Sequence, residues 1–144
     1  MLALKDAQEI ASAALTYATS RQLMPLSVVV LDQRGVLKVA GTQDGASLAR
    51  PDIALAKANG ALSMGMGSRD LAKAAINAPH FIQSLSTTIR GGIVPHLGGV
   101  LIRNADGQLL GAVGISGDRG DRDEAAAIHG VQTAGFVADA GASE

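Results

Sequence analysis

The 144-residue chain has no cysteine and no tryptophan, and Tyr17, Phe81 and Phe136 are its only aromatic residues. Without cysteine there can be no disulfide, no thiolate nucleophile and no zinc site built on sulfur. Neither sign of charge dominates: twelve Lys and Arg face thirteen Asp and Glu, for a formal net charge of −1. That balance leaves no electrostatic basis for holding a nucleic acid or an anionic membrane surface. No apolar run approaches the roughly 20 residues that span a bilayer. The opening MLALKDAQEI lacks the basic region and long apolar core of a signal peptide. Together these absences argue against nucleic-acid and membrane partners and point to a cytoplasmic protein.

What the chain does have is small side chains, with 18 Gly and 26 Ala. Its length suits one domain, but so few large residues give each packing contact little area. Ala-rich helix faces allow close approach between subunits, so a homo-oligomer is expected to supply the missing burial.

Apolar residues at Leu4, Ala7, Ile10, Ala11, Ala14, Leu15 and Ala18 recur at helical spacing, predicting a first helix to about Ser20. SVVVLD and VLKVAG, joined by a turn at Asp32 to Gly35, read as a hairpin. Pro51 sits at the first turn of a helix over DIALAKANGALSMG. Ser68 is placed to cap a further helix, SRDLAKAAIN, which Pro79 stops. Ser84 to Gly99 is polar and Gly-rich and reads as an irregular functional loop. GVLIR and QLLGAVGIS form a second hairpin around NADG, and a last helix runs through DRGDRDEAAAIHGVQTAGFVADAG. Hairpins separated by helices imply an α+β fold with a central antiparallel sheet flanked by helices, in a single domain.

The chain contains no nucleophile elbow, no Walker phosphate loop and no paired-histidine zinc motif. Attention therefore falls on the loop, where Gly91, Gly92, Gly98 and Gly99 surround Pro95 and His96. Glycines there let backbone amides approach a ligand, or else make a tight connection with no ligand. His96 is the histidine best placed to act as a ligand or a base, whereas His80 reads as a surface residue at a helix start and His129 as a structural residue of the last helix. Lys57, set among alanines, is either a solvated lysine whose stem covers apolar surface or an ammonium aimed at a carboxylate or haem propionate. Arg90 offers a guanidinium fork for the same purpose. Asp121, Asp123 and Glu124 are explained by the dipole of the last helix, with a base or metal role as the alternative.

The run GGVLIRNADGQLLGAVGISGDRGDRDEAAAIHG resembles the signature of the GlcG/HbpS family, the haem-binding or haem-degrading-type domain also found at the C-terminus of PduO proteins. Gly98, Gly99, Val100, Gly111, Ala112, Gly114, Ser116, Gly117, Asp123 and Glu124 fit its pattern. The upstream PLSVVVLDQRGVLKVAGTQDGASLARPDIALAKANGAL is similar to its first hairpin, its Asp-Gly-Ala turn and its helix bearing Asp52 and Lys57. Where the family has Phe-Pro before Gly-Gly, this chain has His96-Leu97, and Leu101 replaces the Pro that follows Val. The resemblance implies a profilin-like fold and assembly into dimers or rings up to octamers.

Three functions follow as expectations. The first is a small-molecule binding protein, its ligand a small organic molecule or else haem with His96 on the iron, held near a subunit interface by Lys57, Arg90, Gly91, Gly92, Gly98 and Gly99. The second is a cofactor-independent enzyme that moves protons on a small organic acid through His96, Asp123 or Glu124. The third is an accessory subunit of a catabolic pathway.

Overall fold

Two hairpins build the sheet. In a computed structural model describing residues 1–142, β1 (Ser27–Asp32) pairs with β2 (Leu37–Thr42) and β3 (Gly99–Arg103) pairs with β4 (Leu109–Ser116). β1 also pairs with β4, joining the hairpins, and a short β5 (Val137–Asp139) adds to the far side of β3. The order is β2-β1-β4-β3-β5, antiparallel throughout. The helices are α1 (Leu4–Ser20), α2 (Arg50–Met64), α3 (Ser68–Asn77), α4 (Pro79–Thr88) and α5 (Gly120–Thr133). This is the α+β architecture that the sequence predicts.

Because side chains alternate across a strand, the sheet has two apolar faces. Val28, Val30, Val100, Ile102, Val113 and Ile115 pack under α1 and α5. Val29, Leu31, Leu101 and Ala112 meet Ala54, Ala58 and Ala61 of α2 on the other side. α2 comes unusually close to the sheet because Gly99 and Gly114 are cross-strand partners beneath it. A Cβ at Gly114 would overlap the carbonyl oxygen of Ala54, and one at Gly99 would overlap that of Lys57. The small residues thus serve packing within the chain.

Three expectations are corrected. Pro79 does not merely stop α3; it opens α4, so Ser84 to Thr88 is helical and the irregular loop begins only after it. Proline is tolerated there because first-turn amides need no intrahelical partner. The last helix ends at Thr133, and the segment beyond Gly135, which takes a left-handed φ of 89°, pairs with β3 as β5. Ser68 is not a helix cap: Gly67 holds that position, and the buried Ser68 hydroxyl points at the sheet.

Candidate functional site

α2 delivers Lys57 into the interior, where its ammonium donates to the Ile115 carbonyl at 2.9 Å and lies 3.4 Å from Asp123 Oδ2. The two side chains are 2% and 1% exposed, so Lys57 is not the solvated lysine that its Ala-rich setting suggests. Burial dominates both groups: it pulls the ammonium below its ordinary 10.5, partly offset by Asp123, with the charge of Arg50 adding to the lowering. It pushes the Asp123 carboxyl above its ordinary 3.8, offset by the Asp118 and Gly117 amides and by Lys57.

Glu124, the next residue, is buried and accepts from two nitrogens of the Arg69 guanidinium, Nε at 3.1 Å and Nη2 closer. Helix-dipole compensation therefore does not suffice for Asp123 and Glu124. It suits the exposed Asp121, 3.2 Å from Arg119.

The Arg90–Gly99 loop folds between α2 and α5. Gly91 and Gly92 take φ of 88° and 72°, a left-handed pair that only glycine adopts freely. The Asn59 amide donates to the Arg90 and Gly92 carbonyls, each at 2.9 Å, and clamps this turn to α2. At the other end Gly98 and Gly99 are buried: a Cβ on Gly98 would lie 2.9 Å from Lys57 Nζ, and the Gly99 amide donates to Ser68 Oγ at 2.7 Å. Between these anchors His96 is exposed, its imidazole resting on the first residue of α5, with Nε2 2.7 Å from where a Cβ of Gly120 would sit. Arg90 is also exposed.

The loop thus brings His96 to the start of α5 and sets Gly98 and Gly99 over Lys57, while Arg90, Gly91 and Gly92 form its outer turn. His80 is exposed at the second position of α4, and His129 stacks on Tyr17 with ring centroids 4.7 Å apart. The sequence reading missed Asn59 and Arg69, and it gave Ser68 only a capping role. Only Asn59, a lone amide on an Ala-rich helix two residues from Lys57, gave a signal that could have been read.

Beside the loop, α3 and α4 shape an apolar groove of about 310 Å³, bounded by Ala75, Pro79, Ile82, Ser86, Ile93 and Pro95. Ile76 and Phe81 of the same helices are 82% and 57% exposed. Among the described residues no three His, Asp or Glu side chains cluster as a metal site. One exposed imidazole is sufficient for a metal already held by an organic ligand. No helix among these residues is long and apolar enough to cross a membrane.

Residues 2–132 match the family model described as haem degrading protein HbpS-like. Among solved structures, the PduOC:heme complex is 26% identical over 94% of this chain and 96% of that one, with a TM-score of 0.83. A double mutant of Streptomyces reticuli HbpS is 31% identical over 91% and 85%, at 0.79. Klebsiella pneumoniae protein ORFY is 27% identical over 92% and 90%, at 0.82. No curated protein matches the chain.

Proposed function

Since the chain belongs to the HbpS-like family of haem degrading proteins, we propose that it binds a small molecule of the haem class on the surface built by the Arg90–Gly99 loop. The observation that carries this reading is the placement of His96, an exposed imidazole one residue from Pro95, which lines the apolar groove. A haem-type ligand requires apolar surface for its macrocycle, a donor for its iron and cations for its carboxylates. The groove, at about 310 Å³, falls at the small end of the roughly 300–1,000 Å³ of ligand pockets. His96 would hold the iron and the exposed Arg90 would meet a carboxylate. The bound group supplies the redox chemistry of its iron. The chain's own residues seat it and shield one face from water.

Gly91 and Gly92 set the turn that carries Arg90. Lys57, Asp123, Gly98 and Gly99 lie beneath as the frame that fixes the loop to α2 and α5. A second copy of the chain covering Ile76 and Phe81 would deepen the groove, which agrees with a site near a subunit interface in a dimer or larger ring. Proton transfer on a small organic acid is the alternative. It would lean on His96 as base, because Asp123 and Glu124 are buried in ion pairs with Lys57 and Arg69. A hemin titration of the purified protein tests the binding reading: a saturable Soret band supports it, and a spectrum that remains that of free hemin contradicts it.

A further inference from the structure

We propose that the chain carries a second, independent ligand site, a pocket for a small carboxylate at Arg50. A cavity of about 150 Å³ lies between the segment leading into β1 and the start of α2, walled by Pro25, Ala46, Ser47, Arg50 and Gly117. Arg50 is partly buried and held by two neutral hydroxyls: Nε donates to Ser47 Oγ at 3.1 Å and Nη1 to Ser116 Oγ at 3.1 Å, where Ser116 is fully buried. Arg34, Arg69, Arg103, Arg119 and Arg122 each have an acidic partner within 4.0 Å; among the described residues Arg21, Arg50 and Arg90 have none, and of these three Arg50 alone is partly buried. Asp123 is spent on Lys57, and Asp118 on Arg122 and the Met24 and Arg119 amides.

The guanidinium therefore brings uncompensated positive charge to a cavity wall in a fixed orientation. Donors remain beyond the two that the hydroxyls occupy. A planar carboxylate matches such a fork in bidentate fashion. The Pro25 and Ala46 walls suit a short alkyl tail better than a hydrated tetrahedral oxyanion. A cavity of about 150 Å³ has room for a short carboxylate such as propionate.

The test follows the Arg50 Nε–Hε resonance of the full chain during titration with propionate, and separately with phosphate and with uncharged propionamide at matched ionic strength. The resonance is assigned by its loss in Arg50→Gln. A saturable shift with propionate is expected, at least tenfold weaker with the other two and abolished in Ala46→Leu, which fills the cavity and keeps the arginine. A linear, non-saturating shift overturns the proposal, as does equal saturation by phosphate or binding that survives in Ala46→Leu. Thermal melting of each variant establishes that it is folded. If Arg50→Gln does not fold, Arg50→Lys provides the assignment and Ala46→Leu decides the outcome.

Discussion

Lys57 and Asp123, 66 residues apart in the chain, meet 3.4 Å apart beneath Gly98 with almost no solvent access. Removing one partner of such a pair strands the other charge in the interior, which costs about 3–5 kcal/mol, whereas replacing both with apolar groups is close to neutral. Lys57→Met and Asp123→Leu should each lower stability by about that amount, and the double variant should lose less than the sum of the two, recovering only part because the Gly117 and Asp118 amides and the Ile115 carbonyl lose their side-chain partners. Urea unfolding of the three proteins measures this coupling. Additive losses would mean that the two charges are solvated independently.

Gly114 lies under the Ala54 carbonyl, and Gly107, at φ +83°, has nothing within 4 Å of an added Cβ. Gly107→Ala meets only backbone strain, about 1–2 kcal/mol. Gly114→Ala must lift α2 off the sheet and is expected to lose at least about 3 kcal/mol. Melting temperatures of the two variants check the order, and the reverse order would contradict the close approach of α2.

The Asp118 carboxylate accepts the Met24 amide at 2.7 Å and the Arg119 amide at 2.7 Å, and these bonds hold its pKa below the ordinary 3.8 in spite of burial. A lowered folded value stabilises the protein above pH 3.8 and is lost as pH falls through that folded value. The stability gap between the wild type and Asp118→Asn should therefore be full at neutral pH and close below 3.8. Urea midpoints from about pH 7 to pH 2 measure it. A gap independent of pH would mean that the carboxylate charge plays no part.

Ser86 is exposed on α4 and borders the apolar groove. A carboxylate introduced there by Ser86→Glu should be tolerated by the fold but should weaken hemin binding about tenfold, equivalent to about 1.4 kcal/mol. Unchanged affinity would move the ligand away from this groove.

Local chemistry made the hairpins legible. Asp32 accepts the Arg34 and Val36 amides at the first turn, and Asn104 accepts those of Asp106 and Gln108 at the second. α4 was hidden because Ser84, Ser86, Thr87 and Thr88 weaken a helical pattern. In the structure their hydroxyls donate to carbonyls three or four residues back. The three-residue β5 depends on pairing with β3, more than thirty residues away, as in Leu101 with Asp139. At the candidate site, the glycines and His96 were legible as one loop, but only the tertiary fold supplies Asp123 as partner to Lys57 and Arg69 as partner to Glu124.

The most direct measurement is a pair of hemin titrations, wild type against His96→Ala, followed at the Soret maximum with the thermal stability of both proteins recorded. A saturable band in the wild type that is weakened at least tenfold and shifted in wavelength in His96→Ala, at equal stability, is the predicted result. Identical affinity and identical spectra in the two proteins would contradict the role given to His96.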